Sequence, residues 1–166
     1  MNADITSSTR LLFEEKVHLT GITEYGVKWK DLTEGRIPPV PEGVRFDIAF
    51  EGSLHGPKIE GTIKGTDYLN VRADGRFMLN IHASITTNTG HRIALHEDGI
   101  LVPALDGKGF LQLNMQFTSH VPEYFWMNKI QCWGTGICDM HRGEVYVKTY
   151  EGTFEITNKS IQYHKT

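Results

Sequence analysis

Long hydrophobic runs are missing from this 166-residue chain. No stretch approaches the ~18 consecutive apolar residues of a membrane helix, so no membrane partner is expected. Charge of one sign is missing too: 17 basic against 20 acidic side chains leave a formal charge of -3. That balance has none of the basic excess that tracks a phosphate backbone, and nucleic acid is excluded as a partner. The first ten residues, MNADITSSTR, hold neither a basic leader nor an apolar signal core, which implies a cytoplasmic protein with reduced thiols.

Cysteine is scarce. Cys132 and Cys138 are the only two, and their C-x5-C spacing fits neither a thioredoxin-type motif nor a zinc knuckle, so both read as packing thiols. The eight histidines include no H-x-H and no H-x-x-x-H, and His91 and His96 fall on opposite faces of a strand; no metal site is expected. There is no G-x-S-x-G elbow and no P-loop, and WGTG at 133–136 lacks the third glycine and the helix of a dinucleotide site. Cofactors are therefore expected to be none.

What the chain does have is turn chemistry at short intervals: Gly65, Ala73-Asp74-Gly75, Asn88-Thr89-Gly90, Asp98-Gly99, Asp106 to Gly109, and His141-Arg142-Gly143. Between these lie β-rich runs, predicted as strands at 44–51, 57–64, 67–73, 76–87, 91–97, 110–118, 126–137, 144–150 and 152–157. The one helical suggestion, near 8–18, reads equally as a first strand. A single domain over 1–166 follows, with a 1–43 N-terminal segment and a 44–157 core. The fold class is all-β: one closed antiparallel barrel of about eight or nine strands, lipocalin-like or allene-oxide-cyclase-like, because closure removes unpaired edges. DLTEGRIPPVPEG at 31–43 carries three prolines and two glycines and reads as a loop or lid.

Three stretches carry a resemblance: GPKIEGTIKGTDYLNVRADG at 56–75, LNIHASITTNTGHRIAL at 79–95 and FTSHVPEYFWMNKIQCWGTG at 117–136. Together they resemble a family of small proteins known as domain of unknown function 3237, over roughly 43–150. The resemblance implies a compact β-barrel and no settled reaction. Asp67, Arg72, Asp74 and Gly75 match its aspartate-aromatic and V-R-x-D-G elements, and Tyr124, Trp126, Asn128 and Gly134 match its Y-x-W-x-N strand and following glycine. Glu51, where relatives carry glycine, and the turn CDMHRGE depart from the pattern.

FMLNIHASITTNTG, residues 77–90, poses the functional question. Phe77, Leu79, Ile81, Ala83 and Ile85 share one strand face; Met78, Asn80, His82 and Ser84 share the other. With the polar face inward, His82 and Asn80 line a cavity toward which Lys129, Gln131, Gln112 and Asn114 also turn. The apolar face must then be covered by another subunit, and a homo-oligomer follows. With the apolar face inward, His82 is inert and that reason for an oligomer disappears.

The first arrangement is the one expected, with His82 largely buried inside and Phe77, Leu79 and Ile81 packed outward beneath another subunit or a terminal segment. It supports a cofactor-free lyase or isomerase working by acid-base catalysis on a small apolar or aromatic molecule inside the barrel. His82 and Asp67 are the catalytic candidates; Arg72, Asn80, Tyr124, Trp126, Asn128 and Lys129 are the substrate-binding ones. Asp67 also has a bland alternative, accepting backbone N–H bonds beside a turn at KGT. A non-enzymatic small-molecule-binding barrel and a purely structural oligomer module remain open beside the enzyme.

Overall fold

The structure, a computed structural model, describes residues 4–157. Eight strands follow one another: β1 (Asp4–Glu24), β2 (Val44–His55), β3 (Glu60–Val71), β4 (Phe77–Thr87), β5 (Arg92–Pro103), β6 (Lys108–Thr118), β7 (Cys132–Asp139) and β8 (Glu144–Thr157). Each pairs antiparallel with the next, and β8 returns to β1, so the sheet is a closed barrel with neighbours in chain order. A short helix, α1 (Trp29–Thr33), lies between β1 and β2.

Tight turns explain the meander. Gly75 and Gly90 both sit at φ 86, a conformation that glycine reaches without a Cβ penalty. Their N–H groups close turns onto the carbonyls of Arg72 and Thr87. Two other glycine signals work differently. Gly65 and Gly99 lie inside β3 and β5 rather than at turns, so the predicted runs 57–64 and 67–73 form one strand, and β5 passes through Asp98. A Cβ on Gly99 would stand 2.0 Å from the Gln112 carbonyl oxygen, and one on Gly65 would stand 2.5 Å from that of His82. These glycines allow neighbouring backbone to approach where the barrel bends.

The predicted strand at 126–137 is also revised: Pro122–Lys129 is a 3-10 helix, and β7 begins at Cys132. Proline at the start of that segment suits a helical first turn. The runs 144–150 and 152–157 are one strand, and 8–18 is β1 rather than helix. Because β1 supplies the closing seam between β2 and β8, the barrel core starts well before residue 44.

Alternation decides the interior. In β6 every second residue from Gly109 to Phe117 is buried, and in β4 the buried set is Phe77, Leu79, Ile81, Ala83, Ile85 and Thr87. The apolar face of β4 therefore points inward, and the expectation of His82 inside beneath an outer apolar coat is overturned. The reason is the ~25 cal/mol per Å² gained by removing apolar surface from water, which the barrel interior supplies without a partner. With that face filled from within, the argument for an oligomer built on it falls as well.

The two ends of the barrel differ. At one end Phe13, Ile63, Ile85, Ile93 and Met115 are fully buried, Phe117 packs edge-on to Phe13 at 6.1 Å, and Met127 of the 3-10 helix is 0% exposed. Asn128 clasps this helix to the end of β6: its Oδ1 accepts the Ser119 N–H at 2.6 Å and its Nδ2 donates to the Ser119 carbonyl at 2.7 Å. The other end is closed by α1, where the Trp29 ring stands edge-on to Phe46 at 5.2 Å and to Phe77 at 6.1 Å.

Candidate functional site

Between the solid end and α1 the barrel encloses a cavity of about 70 Å³. Its walls are aliphatic and aromatic apart from three carboxylates, Glu15 of β1, Asp67 of β3 and Glu97 of β5. All three occupy the inward phase of their strands: Glu15 between Phe13 and Val17, Asp67 before Leu69, Glu97 after Ile93 and Leu95. Their exposures are 4%, 8% and 3%. Among the described residues no lysine, arginine or histidine lines the cavity.

Carboxylates in such surroundings resist ionisation, since burial penalises the charged form. Burial pushes Glu15 up to about 7. Asp67 is pushed up to about 6 by burial, an effect opposed by the Asn80 N–H that its Oδ1 accepts at 2.9 Å. Glu97 is raised well above the ordinary carboxylate value, first by burial and then by the charges of Glu15 and Asp67. Burial thus favours the protonated form at all three groups, with neighbouring acids adding to the effect at Glu97 and the Asn80 N–H opposing it at Asp67. Three acidic groups with different surroundings, Asp67 hydrogen-bonded to backbone and the other two not, face one mostly apolar cavity, an arrangement open to acid-base chemistry. Among the described residues, Glu15 Oε2 and Glu97 Oε1 meet no hydrogen-bonding group.

Cys138 also lines the cavity, and burial holds its thiol up at about 12. Cys132 is likewise free and buried, so both fit the reading as packing thiols.

Of the residues singled out from sequence, Asp67 alone enters this chamber. His82 and Asn80 are exposed on the outer face of β4. There His82 pairs across the strands with His96, ring centroids 4.9 Å apart, and His96 Nε2 is 3.3 Å from Asn80 Oδ1. His82 and His96 border an open external groove with Lys64, Ser84 and Gln116. Arg72 is exposed at the β3–β4 turn, beside Asp74 at 3.9 Å. Tyr124 is buried and Trp126 half-buried on the 3-10 helix at the solid end, where Lys58 lies 4.8 Å over the Trp126 ring; Asn128 and Lys129 are exposed. Gln112, Asn114 and Gln131 also face outward. The geometry thus splits the expected constellation, leaving His82 and Asn80 outside the wall, Asp67 inside it, and the others at the ends.

Glu15 and Glu97 were passed over, although each interrupts an apolar alternation in phase with it: F-E-E-K-V at 13–17 and I-A-L-H-E at 93–97. A carboxylate at an inward position was the available signal.

The family model described as protein of unknown function (DUF3237) matches residues 41–151. The chain belongs to this family. No curated protein matches its sequence. Among solved structures, a β-barrel-like protein from Acinetobacter baumannii shares 19% identity at a TM-score of 0.73, covering 89% of this chain and 97% of its own. A protein of unknown function from Clostridium acetobutylicum superposes equally well, with TM-score 0.73, 18% identity, and 89% and 100% coverage. An enzyme from Penicillium herquei is similar at TM-score 0.59 and 20% identity over 86% of this chain and 94% of its own. These likenesses establish the barrel fold for the DUF3237 chain. Among the described residues no helix is long and apolar enough to cross a membrane.

Proposed function

We propose that this protein is a cofactor-independent lyase or isomerase that moves a proton on a small apolar or aromatic molecule held inside the barrel, with Asp67 as base and Glu97 as acid. The observation that carries the reading is the trio of buried carboxylates facing one apolar cavity, two of them with an oxygen that the protein leaves unpartnered. A barrel relative described as an enzyme adds support from the fold side.

In the simplest reaction, the Asp67 carboxylate takes a proton from carbon next to a carbonyl. The electron pair moves onto the carbonyl oxygen, which accepts a hydrogen bond from the Glu97 carboxyl. Return of the proton to a different carbon gives isomerisation. Expulsion of a leaving group from the β carbon gives elimination, the leaving group carrying the electron pair and the proton. A dry chamber strengthens each of these interactions by removing competing water. The Trp29 ring closes the chamber, and a ring-bearing substrate displaces it to enter, because about 70 Å³ is less than such a molecule occupies.

The test is turnover on a panel of enolisable aromatic ketones with the wild type, Asp67→Asn and Glu97→Gln. Deuterium exchange at the carbon next to the carbonyl reads the proton step directly. The expected outcome is exchange by the wild type and a loss of about 100-fold or more in each variant, the range for a positioned acid or base. Equal exchange in all three proteins removes both roles. The binding-protein reading draws on the mostly apolar walls of the cavity. It predicts one ligand per chain, recovered chemically unchanged.

A further inference from the structure

We infer that the barrel cavity recognises the head group of a molecule that carries no negative charge and donates two or more hydrogen bonds, and that it rejects carboxylates and phosphates. The inference rests on the reading of the barrel interior as the reacting site, and it names the class of molecule that site takes.

The argument begins with two oxygen atoms. Glu15 Oε2 and Glu97 Oε1 are buried and unpartnered, on side chains from β1 and β5 that are almost wholly enclosed. Buried acceptors are almost always satisfied in folded proteins, by protein groups or by ordered water, so two oxygens without a protein partner facing one cavity are places where a ligand's donors can take the position of water. Asp67 differs from them, because one of its oxygens already holds the Asn80 N–H.

Charge sharpens the class. The chamber has three acidic side chains and, among the described residues, no basic one. An anion entering it would add a like charge in a poorly screened space and find no basic group to pair with. A cation reverses both terms: it offsets the acidic cluster, and a planar amidinium or an ammonium supplies several N–H groups at once. A neutral donor meets the orphan oxygens without the charge gain and ranks between the two. The remaining walls, Leu79, Ile81, Leu101 and Phe77 among them, suit an apolar body attached to that head group.

Benzamidine, benzamide and benzoate test this, since they share a ring and a planar head group and differ in charge and donor count. Binding is measured by calorimetry near neutral pH on the full chain, in wild type and in Trp29→Ala, which opens the mouth. Benzamidine is expected to bind about tenfold or more tighter than benzamide, with benzoate not binding measurably. Glu15→Gln and Glu97→Gln, checked for folding by thermal unfolding, are expected to reduce benzamidine binding by about tenfold or more and to compress the ranking. Benzoate binding as well as benzamide overturns the inference. So does a ranking that survives in both glutamine variants, which places the ligand on the outer surface, and so does the failure of all three compounds to bind either protein. Turnover is not read in this experiment. A protein inert toward ketones that still shows the ranking loses only its catalytic reading.

Discussion

Asp67 Oδ1 accepts the backbone N–H of Asn80 at 2.9 Å, which seats a carboxylate in the ladder between β3 and β4. Pairing of these strands runs from Gly61–Thr87 to Asp67–Ile81 and resumes at Asn70–Met78, and the side chain serves the gap. One residue thus joins the two alternatives that its sequence position suggested, a backbone acceptor and a buried acid. The first role holds the second in place. Asp67→Asn keeps an oxygen for the Asn80 N–H while removing the titration. Its melting temperature near neutral pH is expected to match or exceed that of wild type, whereas Asp67→Ala, which orphans the N–H, is expected to lose about 1–3 kcal/mol by chemical denaturation.

Stability should fall as pH rises from about 4 to 7, opposite to the trend of proteins held by ion pairs. The Asp67 carboxyl moves from 3.8 to about 6 on folding, and that of Glu15 from 4.5 to about 7. Between each pair of values the folded chain retains a proton that the unfolded chain has released, so folding is favoured at the acidic side of the window and the advantage is lost above the folded value. At about 1.36 kcal/mol per unit, each group accounts for a change on the order of 3 kcal/mol. Melting temperatures across this range check it. A profile that rises steadily with pH would contradict the buried, unpaired state of these groups. Glu97, raised in the same direction, adds to the decline.

Replacing Glu97 by leucine should raise stability near pH 7 while abolishing turnover and ligand binding. An unpartnered buried carboxyl costs folding energy, and an apolar side chain of similar size, among Leu79, Leu101 and Leu113, does not. A gain of about 1–3 kcal/mol in denaturant is expected. The opposite change in the two quantities would mark Glu97 as kept for function. A destabilised variant would show that its carboxyl is needed by the fold.

The barrel itself was legible from turn chemistry and alternation, because Asp74-Gly75 and Asn88-Thr89-Gly90 specify hairpins locally. Lost were the features that depend on closure. Gly65 and Gly99 look like turn residues in sequence, yet the space they leave is filled by the backbone of adjacent strands, His82 and Gln112 respectively. Alternation divides β4 into two faces without saying which is inside, and polar residues resembling a pocket lining drew His82 inward when hydrophobic burial sends Leu79 and Ile81 there. The candidate site was half legible: Asp67 was found, but Glu15 and Glu97 come from strands that meet it only across the barrel, and their significance lies in sharing one cavity. The 3-10 helix at Pro122–Lys129 was hidden by a strand-like run of aromatic residues.

His82→Ala should be silent. The imidazole is exposed on the outer wall with His96 and Tyr68 as its ring neighbours, and it does not line the cavity. Exposed substitutions of this kind change stability by about 0.5 kcal/mol or less. Exchange rates on the ketone panel and benzamidine affinity should match wild type. Loss of either would return histidine to the mechanism and remove the carboxylates from its centre.

Trp29→Ala should separate access from chemistry. The ring is held by edge contacts with Phe46 and Phe77 at the mouth, on a five-residue helix with no buried residue of its own. Its tether runs between Gly26 at φ 94 and Gly43 at φ 79, two positions where only glycine sits without strain. A segment held by half-buried side chains, Val27, Trp29, Leu32 and Val40, opens at lower cost than the barrel, whose strands are paired on both sides. Truncating the ring should cost about 1–3 kcal/mol of stability, less than for a fully buried tryptophan, because water can enter the space left. Bulky ligands should then associate and dissociate faster, while the proton step, carried by Asp67 and Glu97 below, keeps its dependence on pH. Stopped-flow binding rates together with the pH profile of exchange read the two effects separately. Slower ligand entry in the variant would show that the ring guides substrates in rather than blocking them, and a shifted pH profile would place Trp29 among the groups that set the acidity of the carboxylates.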